Sequence, residues 1–99
     1  MSELTQPTGH EEALRATPHD DGSAPRALVL GATGYIGGRL TPRLLNAGYR
    51  VRVLARDAAR AASFPWGADC EIVEGSADDA DAVAEAMQDV DVVYYLIHS

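Results

Sequence analysis

Ala27-Leu28-Val29-Leu30-Gly31-Ala32-Thr33-Gly34-Tyr35-Ile36-Gly37 is the stretch that decides the fold of this chain. The four apolar residues that open it read as a parallel strand covered on both faces, because such strands are near-continuous hydrophobic runs. The three glycines then mark a tight turn into a helix. A glycine-rich turn between a buried strand and a helix start brings backbone N–H groups up to an anion, and in a strand–helix–strand unit that anion is the pyrophosphate of a dinucleotide. Gly31 allows the turn, Gly34 lets the backbone approach phosphate oxygens, and Gly37 lets the helix pack closely on the strand. Thr33, Tyr35 and Ile36 complete the candidate cofactor-binding turn. The plainer reading is a strand–helix turn with no ligand; the flanking strand, helix and second strand at the expected distance favour the nucleotide site.

Outward from this turn, strand and helix signals alternate. Tyr35 to Ala47 reads as a helix with Ile36, Leu40 and Leu44 on one face, and Gly48 suits the position just past its end. Pro42 inside that helix removes a hydrogen bond and crowds the Gly38 carbonyl, so a local kink is expected. Val51–Ala55 reads as the second strand and Asp57–Ser63 as a short Ala-rich helical turn, broken by Phe64-Pro65-Trp66-Gly67. Cys70–Glu74 is the third strand. Ser76 with Asp79 has the spacing of a helix cap ahead of a helix over about Ala80–Gln88, with Val83 and Met87 on one face. Val92–Ile97 is the fourth strand. Alternating strands and helices imply right-handed crossovers, hence an α/β fold with a Rossmann-like doubly wound parallel sheet, incomplete at about four strands, in the order 3-2-1-4. That order puts the glycine turn beside the point where strand order reverses.

Residues 1–25 hold Pro7, Gly9, Pro18, Gly22 and Pro25 among polar residues with no sustained period, so they read as a disordered leader before a domain over 26–99. A length of 99 residues allows one small domain. The formal charge of −7 argues against nucleic acid or an anionic membrane surface as the main partner. All eight basic residues are Arg, so no catalytic or Schiff-base Lys exists in the chain. The single Cys70 excludes an internal disulfide and a multi-Cys metal site, and its place on an apparent strand suits a small core residue. His10 and His19 lie in the leader with no ligand cluster, so no metal is expected. The N-terminus has no basic start followed by an apolar stretch, and no apolar run approaches the roughly 20 residues that span a bilayer; a cytoplasmic location is the expectation.

Cofactor choice is read at the end of the second strand, Val53-Leu54-Ala55-Arg56-Asp57. An acid about 20 residues past the glycine turn binds the ribose 2′-hydroxyl of NAD. Ala55 stands there instead, followed by Arg56, whose planar fork pairs with a 2′-phosphate. Arg60, one helical turn on, assists. NADP(H) is therefore preferred, and Asp57 keeps NAD(H) open. A solvated Arg at a helix start is the plainer alternative. Ser76 and Ala77, after the third strand, are placed to face an adenine edge, although a helix cap accounts for Ser76 alone. Tyr95, His98 and Ser99 close the fourth strand at the same edge of the sheet. His98 suits a nicotinamide-ribose contact or proton transfer near neutral pH, but a strand-end His bonded to backbone is the simpler reading, and no catalytic residue is assigned.

These residues resemble a known family. The Gly31–Gly37 turn is similar to the NAD(P)-binding turn of extended and atypical short-chain dehydrogenases/reductases, NmrA-like proteins above all. Leu54-Ala55-Arg56 is similar to the strand end of NADP-preferring members, and Tyr94–Ser99 to the fourth-strand end of an atypical bacterial subgroup. The resemblance covers about Arg26 to Ser99. The family's catalytic Tyr-x-x-x-Lys normally follows the fifth strand, past Ser99, and neither Tyr94 nor Tyr95 stands in for it. The resemblance thus implies the N-terminal, nucleotide-binding portion of an NADP(H)-dependent reductase or epimerase-like protein, shortened, with a dinucleotide and a C-terminal segment or protein partner to complete it. Atypical members that lack the catalytic pair act as redox sensors, so a non-enzymatic NADP(H)-sensing regulator is the alternative. A small α/β interaction module with an empty turn is a third class.

Overall fold

The computed structural model describes residues 15–96. The elements run β1 (Arg26–Leu30), α1 (Tyr35–Asn46), β2 (Arg50–Ala55), α2 (Ala58–Ala62), a 3-10 turn (Gly67–Asp69), β3 (Glu71–Glu74), α3 (Ala80–Ala86) and β4 (Val92–Tyr95). The strands form one parallel sheet in the order β3-β2-β1-β4. β1 is central, with Val29 in register with Val53 on one side and Tyr94 on the other. This is the doubly wound Rossmann-like architecture expected from the alternating pattern. Beyond β4, Leu96 still donates its N–H to the Leu30 carbonyl at 2.9 Å; Ile97, expected to close the strand, lies outside the described residues.

Each face of the sheet has its own core. On one, Ala27, Val29, Val51 and Val53 pack against Leu44, Ala61 and Trp66. On the other, Leu28, Leu30 and Leu54 pack against Ala86, with Ala82 and Val83 beside it. Burial on both faces explains why β1 is an unbroken apolar run. Val93 and Tyr95 on β4 remain exposed.

The buried stripe of α1 differs from the expected Ile36, Leu40, Leu44. It is Gly37, Thr41 and Leu44, with Leu40 partly buried, while Ile36 is 58% exposed. The helix axis lies so close to the strand that a glycine must stand at the contact. Thr41 tolerates full burial because its hydroxyl donates to the Gly37 carbonyl at 2.7 Å. The helix runs through Pro42 as one element rather than breaking there. The face of α3 is likewise Ala82, Val83 and Ala86, and Met87, the residue that ends the helix, is exposed. Cys70 does not belong to β3. It ends the 3-10 turn, half-buried against the Trp66 cluster, and burial followed by the nearby Asp69 charge pushes its thiol up to about 11. The thiol is therefore unreactive at neutral pH.

At the opposite edge of the sheet from the glycine turn, Arg26 and Arg52 converge on Glu71. Arg26 Nε and Nη2 donate to the two Glu71 carboxylate oxygens at 3.1 and 3.3 Å, and Arg52 Nε donates at 3.0 Å. Arg52 also donates to the Ala86 and Gln88 carbonyls at 2.7 and 2.8 Å, and so caps the end of α3. The described part of the expected leader, residues 15–25, has neither helix nor strand but lies along this edge: Ala16 donates its N–H to Ala47, Arg50 Nε donates to the Ala24 carbonyl, and His19 Nε2 lies 2.9 Å from Asp91 Oδ1.

A pH prediction arises here. Partial burial opposes ionisation of Glu71, but hydrogen bonds and charge from Arg52 and Arg26 outweigh it and hold the carboxyl below its ordinary 4.5. A depressed folded pKa means stabilisation that is complete above 4.5 and lost as pH falls through the folded value. The melting temperature of the wild-type chain is expected to fall as pH drops below about 4.5, and Glu71→Gln, less stable at neutral pH, is expected to fall less over the same range. Equal pH slopes in the two proteins would contradict this account of Glu71.

Candidate functional site

The glycine turn lies at the carboxyl end of β1, beside the β1–β4 boundary where the sheet's strand order reverses. Gly31 has φ of 97°, a conformation side chains rarely adopt, and this lets the chain leave β1 and double back at once. The Gly34 N–H donates to the Gly31 carbonyl at 3.1 Å, and Gly34 is the N-cap of α1. Gly37 is buried under the turn; a Cβ there would lie 2.1 Å from the Gly31 carbonyl oxygen and 2.6 Å from Ala32 Cα. Gly31 and Gly37 are thus required by the fold itself, whereas Gly34 is not forced by backbone or packing.

The start of α1 differs chemically from the other helix starts. α2 begins at Asp57, whose carboxylate accepts from the Arg60 N–H, and α3 begins at Asp79, whose carboxylate accepts from Asp81 and Ala82. α1 begins at Gly34 with no side-chain cap and no acid in its first turn. Its first N–H groups, from Tyr35 onward, and the positive end of its dipole have no carboxylate of this chain among the described residues. Such a helix start has the chemistry to hold a phosphate group.

Beside the turn lies a cleft of about 300 Å³. Gly31 and Thr33 line it from the turn, Arg56 and Asp57 from the end of β2, Arg60 from α2, and Gly75 and Ala77 from the segment after β3. Four of the sequence-derived candidates, Gly31, Thr33, Arg56 and Ala77, therefore meet in one cavity. Tyr35 and Ile36 do not: both are exposed, and the Arg39 guanidinium lies 4.8 Å from the Tyr35 ring centroid. Ser76 does not line the cleft either, and it is not the cap of α3. Its hydroxyl accepts from the Asp78 N–H at 3.1 Å in a turn before the helix, and the cap is Asp79. Tyr95 is exposed on β4, while His98 and Ser99 lie outside the described residues.

Gly75, just before Ser76, is the tightest position in this segment. A Cβ there would lie 2.6 Å from the Ala82 Cβ, so glycine lets α3 cross close to β3 and keeps the cleft wall low. Asp57, the one acid positioned for a ribose diol, is engaged as the cap of α2 at 3.0 Å from the Arg60 nitrogen. A wider groove of about 620 Å³ runs along the outer side of α1 by Arg39, Pro42 and Arg43 and shares no residue with this cleft. Among the described residues no group of three His, Cys, Asp or Glu is placed to hold a metal, and no helix is long and apolar enough to cross a membrane.

Comparison with known proteins bears on the fold and the family. Residues 31–99 match the protein family described as NAD(P)H-binding. Phenylcoumaran benzylic ether reductase PT1 of Pinus taeda is 34% identical over 86 residues, which are 79% of this chain and 28% of that protein. A proposed epimerase from Burkholderia cenocepacia J2315 superimposes with a TM-score of 0.68 at 30% identity, covering 78% of this chain and 26% of that one. A Rossmann-fold NAD(P)-binding family protein from Shigella flexneri superimposes with a TM-score of 0.66 at 26% identity, covering 76% and 38%. The chain thus spans about a quarter of the reductase's length.

Proposed function

Since the chain belongs to the NAD(P)H-binding family and fits the N-terminal dinucleotide-binding part of an NmrA-like atypical short-chain dehydrogenase/reductase, we propose that it binds NADP(H) in preference to NAD(H). The observation that carries the preference is the cleft in which Arg56 and Arg60 stand together while the nearest acid, Asp57, is spent on a helix cap. A 2′-phosphate needs cationic forks and a ribose diol needs a carboxylate acceptor, and this cleft offers the former.

Several of the residues suit the cofactor. The uncapped start of α1 and the Cβ-free Gly34 suit a pyrophosphate, because a side chain at Gly34 would stand at the helix start where phosphate oxygens approach. Thr33 and Ala77 line the same cleft and are proposed to face the adenosine. Tyr35, Ile36 and Ser76 are assigned contacts with the bound dinucleotide rather than walls of the cleft. When bound, the nicotinamide supplies a hydride donor or acceptor. This chain's part is to bind and orient the dinucleotide. The whole protein is proposed to be a reductase or epimerase-like enzyme of which this chain supplies the nucleotide half, and the exposed Val93 and Tyr95 on β4 suit cover by a further segment.

A second reading is a non-enzymatic NADP(H) sensor that acts through a protein partner, with the same cleft and uncapped helix start serving as its sensing site. Hydride transfer from NADPH to a carbonyl by the intact protein separates the two, since a sensor gives none.

Titration with 2′,5′-ADP and 5′-ADP tests the cofactor preference. The wild-type chain is expected to bind 2′,5′-ADP at least about tenfold more tightly, and Arg56→Ala to lose most of that difference, as removal of a charge-assisted contact of about 1.5–3 kcal/mol implies. Equal affinities in the wild type contradict the preference.

A further inference from the structure

We infer that Glu74 is a positioning residue for 2′-phosphate recognition: it anchors the short helix that carries Arg60 and keeps its own carboxylate away from that phosphate. The inference rests on the reading of Arg56 and Arg60 as a 2′-phosphate pair. α2 has five residues and cannot be stable by itself, so its place must be set from outside. Its far end is set by the buried Ala61 and by Gly67, where a Cβ would lie 2.4 Å from the Ala62 carbonyl oxygen. Its near end carries two carboxylate hydrogen bonds. Asp57 accepts from Arg60 at 3.0 Å, but both residues belong to the same turn, so that bond shapes the helix without tying it to the sheet. Glu74 Oε2 accepts from the Ala58 N–H at 3.1 Å, and Glu74 is the last residue of β3. This bond joins strand to helix start, with Arg56 two residues before Ala58 and Arg60 two after.

The same bond governs charge. Glu74 is next to Gly75, which lines the cleft with both arginines. A carboxylate turned toward the cleft would repel a phosphate and pair with the arginines meant for it. Held on Ala58, it is bonded to that N–H instead of to the arginines.

Simple electrostatics and positioning predict opposite signs. If Glu74 is merely a nearby negative charge, Glu74→Ala tightens binding of 2′,5′-ADP. If it positions the helix, Glu74→Ala weakens 2′,5′-ADP by about threefold to tenfold, the range expected for loss of a helix-start cap, and leaves 5′-ADP within about twofold. Glu74→Gln, which keeps an acceptor oxygen for Ala58, is expected to retain wild-type selectivity. Should Glu74→Ala fail to fold, Ala58→Pro removes the same bond from the donor side. Proline is tolerated at a first helical position, and Asp57 is already extended (φ −122°, ψ 97°) as a residue before proline must be. Ala58→Pro is then expected to weaken 2′,5′-ADP selectively as well. Unchanged or tightened 2′,5′-ADP binding in the folded variant overturns the role of Glu74. A wild-type chain that does not distinguish the two nucleotides overturns instead the arginine reading beneath it.

Discussion

Gly37→Ala is expected to unfold most of the chain. The added methyl would lie 2.1 Å from the Gly31 oxygen and 2.6 Å from Ala32 Cα, both backbone atoms that cannot rotate away. Relief requires α1 to move off β1, at the contact that carries Leu44 into the core. Overpacking of a tight interior costs about 1–3 kcal/mol and more where backbone must shift, so at least about 3 kcal/mol is expected here. A domain this small has little more than about 5 kcal/mol in reserve. Gly38→Ala is the matched control: its Cβ would find the Ala32 oxygen at 3.9 Å, an ordinary contact, and alanine stabilises a helix interior by about 0.5–1 kcal/mol. Urea unfolding followed by circular dichroism is expected to place Gly38→Ala at or above the wild-type midpoint and Gly37→Ala far below it. Matching midpoints for Gly37→Ala and wild type would contradict the close packing of helix on strand.

Gly34→Val is expected to separate binding from folding. Gly34 has φ of −80° and ψ of 179°, which any residue adopts, and a Cβ there meets only the Gly31 oxygen at 3.4 Å. The neighbour must give by a few tenths of an ångström, so the unfolding midpoint is expected to fall slightly. The valine methyls, however, occupy the uncapped helix start that is proposed to receive the pyrophosphate. Loss of those N–H contacts and the clash together are expected to weaken NADPH by at least about a hundredfold, or roughly 2.7 kcal/mol. Fluorescence titration with NADPH alongside a urea melt checks both halves. Undiminished affinity in a folded Gly34→Val chain would favour an α/β module whose turn is empty.

The fold was legible because its signals are local. Ala27–Leu30 had to be buried on both faces, and three glycines followed at once. The failures share one cause, which is that contact distance is not written in hydropathy. Ile36 is more apolar than Gly37, yet the helix lies too near the strand for a side chain, so the buried stripe shifts by one residue. Met87 gave way to Ala86 on α3 for the same reason: a small residue lets the helix approach Leu28 and Leu54. Ser76, Asp78 and Asp79 all lie within one turn, and the spacing rule does not tell them apart: Asp79 takes the cap while Ser76 closes the turn before it.

The candidate site divides along the same line. Arg56 was legible because it occupies a fixed distance from the glycine turn. Glu74 was not, since its partner Ala58 is sixteen positions away and offers only a backbone N–H. The meeting of Arg26, Arg52 and Glu71 likewise depends on strand register, which places Arg52 opposite Glu71 and which no short-range pattern announces.

Side-by-side equilibrium titration of the full chain with NADPH and NADH tests the central claim most directly. Saturable binding of both, with NADPH tighter by about tenfold or more, is the result predicted from the uncapped helix start and the paired arginines. Binding of neither would contradict the site itself, and tighter binding of NADH would contradict the role given to Arg56 and Arg60.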